Sequence, residues 1–508
     1  MALEMTGARI FIPWFGSSIL VWSNVIGVTL GSVAVGNFLG GRLADRQPKA
    51  SLLALLLALS AVLTALVPYV APPLARRYLP EGLELASAFA LMGRASLIVA
   101  ILSLGPPLVL LGMATPFLVR GATRDEGGRV ARAAGLISGA ATCGSLLGTW
   151  APVYYLIPAL GSRLTCVASG AAILAGAVIA AVACRPVRAL PALMAGFLLV
   201  GALALAAEKG VGRTPVAAEV LAEIETRYQY ARVERKGEMV SLRLNEGLDS
   251  YHSLYLEGSL LTGGYFDWYG LYPPLVGTAD GPREVLILGY AAGTIGRQLL
   301  GLYGDRFLIR ITGVEIDSDV AALGPRFFGA GPDRRLDLIV DQDARAFLNQ
   351  TTRRFDLIVV DTYSDQIYVP FQLCSEEFFR SARARLKSGG GLVANLGGFS
   401  MDDAPVEAIR NTAAAVFGEA ALLQVKGGRN YVLSAGLDGP LDPRRFESGY
   451  PEELAAILAA ARTVGAWRSG PVTRSVPILT DDRSNIELLA DRDLLEKSRL
   501  LLGEASAR

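Results

Sequence analysis

Apolar positions are spread unevenly along the chain, and the unevenness predicts two halves. Up to residue 208 they form long runs, the main ones near residues 17–40, 50–74, 95–119, 133–158, 164–183 and 189–207. Each is close to the roughly 20 residues that cross a bilayer at about 1.5 Å per residue. Six in succession argue against a buried soluble bundle. Residues 208–215 are a short polar linker. Beyond it the pattern turns to short alternations. Residues 227–234 and 239–245 alternate around Lys236-Gly237-Glu238, which predicts a β hairpin. From 283 to about 435, β-type runs at 285–288, 309–314, 336–340 and 355–360 are separated by helical stretches near 293–303, 319–328 and 375–386. Strand and helix in alternation predict a doubly wound, Rossmann-like α/β domain on a parallel sheet. The expected organisation is a transmembrane helical domain over 1–208 and a small β domain over 216–280. An α/β domain over 281–435 and a helical tail over 436–508 follow.

The predicted strand ends carry chemistry. The first strand of the α/β region runs into Gly289-Tyr290-Ala291-Ala292-Gly293 where a helix begins, the arrangement that brings backbone close to a nucleotide-like ligand. The second ends in Glu315, and 315 − 289 = 26 is near the spacing at which an acid holds ribose hydroxyls. The third leads to Asp343 and the fourth ends in Asp361. Acids after three successive strands put ligand-binding groups along one carboxyl edge. For Asp361 alone, a loop cap is the competing explanation.

Composition narrows the chemistry. With 48 basic and 47 acidic residues the chain has no long-range field for nucleic acid, and no such partner is expected. Its mean hydropathy of +0.40 agrees with a bilayer as partner for the first half. Cys143, Cys166 and Cys184 fall in apolar runs and Cys374 in the other half, so neither a disulfide framework nor a CxxC metal site is indicated. His252 is the sole histidine. That excludes Ser-His-Asp and Cys-His catalysis and two-histidine metal sites, and leaves carboxylates, tyrosines and lysines to move protons. No metal is expected. Glu4 and Arg9 interrupt the start, which does not read as a cleaved signal peptide.

In order and spacing, these residues resemble the spermidine synthase family of aminopropyltransferases, and in particular its bacterial versions fused to a membrane domain. The resemblance covers roughly residues 226–399. Its markers are Tyr228-Gln229, Asp249-Ser250-Tyr251-His252, the glycine loop with Arg297, Val314-Glu315-Ile316-Asp317, the Asp343 segment and Asp361-Thr362-Tyr363-Ser364-Asp365. Phe15-Gly16-Ser17-Ser18, Trp22 and residues 40–46 extend it into the membrane half. The resemblance implies S-adenosylmethionine, or its decarboxylated form, as substrate. Gln229, Gly289, Gly293, Glu315, Asp343 and Tyr363 would hold it, with Glu315 on the ribose and Asp343 on the adenine amine. Asp361 and Asp365 would flank the reacting centre with Tyr251, and Asp249 and His252 would lie on the acceptor side. Displacement beside a sulfonium needs a nucleophile with a free lone pair, and an amine at pH 7 must first lose a proton, so a carboxylate at that centre is chemically apt.

The chain departs from the family at three points. Ala292 stands where the family's glycine loop holds an aspartate, Ser253 follows the Tyr-His pair in place of glutamate, and Asp361 and Asp365 are four apart instead of three. The resemblance therefore implies release of 5′-methylthioadenosine with a polyamine such as putrescine as acceptor. Three alternatives stay open: intramolecular cyclisation to homoserine lactone, methyl transfer, and non-enzymatic polyamine transport or sensing. The six runs contain no Asp or Glu to line a cation path. An integral membrane protein of the inner or plasma membrane is expected, compatible with a homo-oligomer. Its catalytic half is placed in the cytosol, where cells keep S-adenosylmethionine. With six crossings the basic loop residues favour the opposite side, and a count off by one near residues 83–119 would reconcile the two.

Overall fold

The structure is a computed structural model. It describes residues 1–15, 19–78, 85–125, 130–184, 190–208, 218–244, 251–277, 282–304, 307–362, 369–426, 429–445, 450–463, 465–482, 486 and 489. Two compact units are distinguished, Met1–Pro215 with Glu225–Arg227, and Val216–Ile224 with Tyr228–Arg508.

The first unit is helical. Among the described residues four helices are long and apolar enough to cross a membrane: Val21–Arg46, Ala50–Tyr78, Val130–Leu156 and Ala159–Val182. A further candidate is broken, since Gly93–Ser103 and Gly105–Thr123 meet at 46°. Pro106 and Pro107 lack the amide hydrogens that would continue the helix across this junction. Leu190–Leu205 is a shorter apolar helix. The described parts of all six expected runs are thus helical, but the third is not continuous and the sixth is short for a span. The hydrophobic pattern also missed the helix Ala2–Phe15. Glycines let two helices meet backbone to backbone: a Cβ on Gly36 would lie 2.2 Å from the Val109 carbonyl, and one on Gly112 2.7 Å from that of Val33. Leu147, Trp150 and Leu198 are among many large apolar side chains exposed in this unit, as a lipid-facing surface requires.

The second unit contains two sheets among its described residues. β1 (Glu219–Glu225), β2 (Tyr230–Lys236), β3 (Met239–Leu244) and β4 (Ser253–Leu256) form one, in chain order. The expected hairpin is β2–β3, closed by a turn in which Gly237 takes φ +64°. The larger sheet has β5 (Glu284–Leu288), β6 (Arg310–Val314), β7 (Leu336–Ile339), β8 (Phe355–Val360), β9 (Leu386–Gly397), β10 (Ala420–Gln424), β11 (Asn430–Gly436) and β12 (Trp467–Gly470). They lie in the order β12-β10-β11-β9-β8-β5-β6-β7.

This sheet corrects the expectation of a parallel one. β9, β8, β5, β6 and β7 are parallel neighbours, whereas β9–β11, β11–β10 and β10–β12 pair antiparallel, so the sheet is mixed. The short loop between β10 and β11 leaves no room for a crossover helix and forces an antiparallel pair. Residues 436–508, read as helical, also supply β12 at the sheet edge. In the parallel half β5, β6 and β8 are buried on both faces, whereas β7 at the edge is partly exposed. Leu286, Leu288, Ile358 and Val360 pack toward Phe378 and Ile409, while Val285, Ile287, Leu357 and Val359 pack toward Tyr269, Leu299 and Tyr303. Continuous apolar runs in the sequence follow from this two-sided burial.

Candidate active site

Strand order reverses between β5 and β8, because the chain moves outward from β5 through β6 to β7 and then returns to pair β8 on the other side of β5. In an open α/β sheet the crevice at the carboxyl ends of such a pair is where ligands bind. The loop after β5 is built for close approach. Gly289 has φ +83°, and a Cβ there would lie 2.3 Å from the Asp361 carbonyl, so β5 and β8 leave the sheet in contact. Gly293, at φ +89°, precedes the helix Thr294–Tyr303.

Glu315 closes the next strand. It is 7% exposed and accepts the Ala291 amide at 2.7 Å and the Asp317 amide at 3.0 Å, which ties β6 to the glycine loop. Burial pushes its carboxyl up to about 7, against the opposing effect of those amides. Asp343 lies beyond β7 and caps the helix Ala344–Gln350 by accepting the Ala346 amide through Oδ1 at 2.8 Å. The Gln342 amide donates to the Glu315 carbonyl, so the two acidic segments are adjacent.

Asp361 follows β8 and is half-buried. The Tyr265 hydroxyl donates to it, 2.9 Å from Oδ2 and 3.1 Å from Oδ1, and Asn395 Nδ2 donates to Oδ1 at 3.2 Å. Burial raises its carboxyl to about 7, opposed by these two donors. An anion held ready with partial neutral character near pH 7 is suited to accepting a proton.

The structure thus brings Gly289, Gly293, Glu315 and Asp361 together on adjacent strand ends, with Asp343 one strand further. Tyr251 is exposed and stands two residues before β4. His252 is pushed down to about 4 by burial, which leaves it a neutral imidazole at pH 7. Gln229 lies just before β2 and is half-buried. Asp249, Tyr363 and Asp365 lie outside the described residues. Ser253, noted for replacing an acid, accepts the Ala292 amide at 3.1 Å, and Ala292 is fully buried among Val233, Leu242, Val320, Leu323 and Phe328.

Sequence reasoning missed Tyr265 and Asn395. Asn395 had a signal: it is the one polar residue within the apolar run Leu392-Val393-Ala394-Asn395-Leu396 of β9. Tyr265 had none, because its partner is 96 residues away and the turn that aims it depends on tertiary contacts.

A glycine loop, an acid at the end of the second strand and a carboxylate at the switch point thus lie along one carboxyl edge of an α/β sheet. Residues 274–426 match the model of the spermine/spermidine synthase domain. It is 36% identical over 198 residues to a probable polyamine aminopropyl transferase of Bifidobacterium longum, covering 39% of this chain and 42% of that protein. It is 37% identical over 137 residues to polyamine aminopropyltransferase 1 of Pseudomonas aeruginosa, covering 26% and 45%. These alignments span less than half the length of either relative. Among solved structures it is similar to a probable spermidine synthase from Corynebacterium glutamicum, with 21% identity and a TM-score of 0.41 over 54% of this chain and 99% of that one.

Proposed function

We propose that the chain is a membrane-bound transferase of the aminopropyltransferase type. It binds decarboxylated S-adenosylmethionine or S-adenosylmethionine, cleaves a carbon–sulfur bond and releases 5′-methylthioadenosine. The observation that carries this reading is Asp361, a carboxylate raised to about 7 at the switch point of the sheet, on the strand next to the glycine loop. In the proposed step the carboxylate takes a proton from an acceptor amine and the freed nitrogen lone pair attacks the methylene carbon beside the sulfonium. The new C–N bond forms as the C–S bond breaks, and its electron pair stays on sulfur to give the neutral thioether. Glu315 would hold the ribose hydroxyls through the lone pairs its two amide donors leave free, and Asp343 would reach the adenine amine through Oδ2. Gln229, Tyr251, Tyr363, Asp365, Asp249 and His252 keep the roles the family resemblance implies.

A second reading is favoured by Ala292. Its side chain is enclosed by apolar groups, so this position offers no counter-charge to a diamine. S-adenosylmethionine whose own carboxylate attacks its γ-carbon needs no external amine and gives homoserine lactone with the same nucleoside product. The catalytic half faces the cytosol in this proposal. Counting the four long helices and the bent pair as five crossings leaves Arg42, Arg46, Lys49, Arg120 and Arg132 on its side, as the positive-inside rule asks. Incubating the purified chain with each adenosyl substrate, with and without putrescine, followed by mass spectrometry, tests all of this. S-adenosylhomocysteine as the nucleoside product, or no turnover of either substrate, overturns the proposal.

A further inference from the structure

Tyr290 stands second in the glycine loop and is 6% exposed. Its ring lies in a slot that three glycines leave open. A Cβ on Gly313 of β6 would lie 2.5 Å from ring atom Cδ2, one on Gly296 2.7 Å from the hydroxyl oxygen, and one on Gly293 2.9 Å from Cε1. The ring therefore fills the space between β6 and the first turn of the helix Thr294–Tyr303. The Glu315 amide continues the β6 ladder by donating to the Ile339 carbonyl at 2.9 Å, so Gly313 and Glu315 share a face. Tyr290 thus packs on the side of the strand that carries the Glu315 carboxylate. The next residue is strained. Ala291 has φ +47°, in the left-handed region that a Cβ disfavours. In that conformation its amide donates to Glu315 Oε2 at 2.7 Å, and the turn is closed by the Gly293 amide, which donates to the Tyr290 carbonyl at 3.0 Å.

We propose that Tyr290 is a positioning residue for the nucleoside subsite: its ring, lodged among Gly293, Gly296 and Gly313, holds Ala291 in the left-handed conformation that keeps the Ala291 amide on Glu315. Strain of this kind persists only where the surroundings impose it. Without the ring, Ala291 relaxes to negative φ, which rearranges the turn and takes its amide off the carboxylate. The electrostatic consequence follows from what faces Glu315. Burial raises its carboxyl to about 7 and the Asp317 charge on its own segment pushes the same way, while the Ala291 and Asp317 amides oppose them. From the segment after β7, the Gln342 amide meets only the Glu315 carbonyl. Loss of the Ala291 amide therefore drives the carboxyl further up, and a protonated Glu315 is a poorer acceptor for ribose hydroxyls. A ring that merely filled the core would leave this equilibrium alone.

This inference rests on Glu315 holding the nucleoside in the proposed reaction, and the test separates the two. The affinity of the full chain in detergent for methylthioadenosine is measured by calorimetric titration at about pH 6.5 and about pH 9, on either side of the Glu315 transition. Tyr290→Ala, Tyr290→Phe and Tyr290→Ala combined with Ala291→Gly are compared, with Glu315→Ala beside them. Tyr290→Ala is expected to weaken binding about three- to tenfold at the lower pH and clearly less at the higher, where Glu315 is ionised in either chain. Tyr290→Phe keeps the ring and is expected to bind as the native chain does at both. Glycine adopts a positive φ without strain, so adding Ala291→Gly to Tyr290→Ala is expected to restore most of the affinity at the lower pH. Tyr290→Leu, which refills part of the slot, carries the same expectation as Tyr290→Ala and replaces it should the larger cavity prevent folding. Native affinity in the folded variant, or a loss equal at both pH values that Ala291→Gly does not restore, overturns the role of Tyr290 while Glu315→Ala still weakens binding. Unchanged affinity in folded Glu315→Ala overturns the nucleoside reading itself.

Discussion

Gln298 donates through Nε2 to Oδ1 of Asp267 at 2.6 Å, in a site where both side chains are 2% exposed. Asp267 also accepts from the amide and hydroxyl of Thr262 and from the Gly263 amide, at 2.7 to 3.1 Å. One carboxylate thereby fastens the turn that delivers Tyr265 to Asp361. Substituting Asp267→Ala strands several buried donors, each costing about 1–3 kcal/mol. The unfolding midpoint of the catalytic half in detergent is expected to fall clearly, and methylthioadenosine release is expected to fall even under conditions where the variant is folded. A folded Asp267→Ala chain with native activity would separate this latch from the site.

Tyr265→Phe removes one donor from Asp361 while keeping the ring that packs against Phe266. The hydroxyl stabilises the charged carboxylate, so its loss favours the protonated form and the pKa rises further above about 7. A hydrogen bond to a charged group contributes about 1.5–3 kcal/mol, equivalent to about one to two pH units. Activity is accordingly expected to fall most at pH 6–7 and to recover toward pH 9. A pH–rate profile with an unmoved acid limb would deny the phenol this part.

Asp361→Asn keeps the size and removes the charge, and turnover is expected to drop about 10²-fold or more with nucleoside binding largely kept. Stability offers an independent readout. Because the folded-state pKa is raised from the ordinary carboxylate range to about 7, Asp361 favours folding at pH below that range, and the contribution is lost as pH rises through about 7. The ligand-free Asn variant should therefore be more stable than the native chain at pH 8 and gain less at pH 5. Thermal unfolding at the two pH values checks this, and an equal shift at both would contradict it.

Much of this site was legible because it sits where the sequence pattern changes character. Gly289, Glu315 and Asp361 each end an apolar run, and strand ends are where an α/β fold brings ligand groups together. Asp343 was legible in place, and its capping of the next helix is what the sequence could not disclose. The antiparallel half of the sheet escaped because β10 and β11 read as ordinary buried strands, and pairing direction depends on connections whose helices the pattern marked poorly. Tyr265 escaped for a different reason. It meets Asp361 through a long-range hydrogen bond, and a lone polar residue in a turn carries no periodicity to betray it.

Glu315 should anchor the nucleoside. Its two oxygens already accept one amide each, so replacement by alanine removes both the ribose acceptors and the tie between β6 and the glycine loop. Affinity for methylthioadenosine by calorimetric titration is expected to weaken by about 1–3 kcal/mol. Glu315→Gln retains the shape and loses the charge, and should fall between the two. Unchanged affinity in folded Glu315→Ala would remove this residue from the site.

The last expectation concerns the acceptor. Ala292 occupies the position at which the family's loop carries an aspartate, yet here it is fully buried in one apolar cluster with Val233, Leu242, Val320, Leu323 and Phe328. Introducing the acid by Ala292→Asp would bury a carboxylate among hydrocarbon without a partner, at a cost of several kcal/mol. The variant is therefore expected to unfold at lower temperature and to gain no dependence on putrescine. In the native chain, by the same reasoning, an ammonium entering on this side finds no counter-charge, and putrescine should accelerate methylthioadenosine release little. Saturable stimulation of the native chain by micromolar putrescine with stoichiometric spermidine would show that the diamine is held by other acids. A stable Ala292→Asp chain that acquired such stimulation would show instead that the loop can turn this side chain toward the ligand.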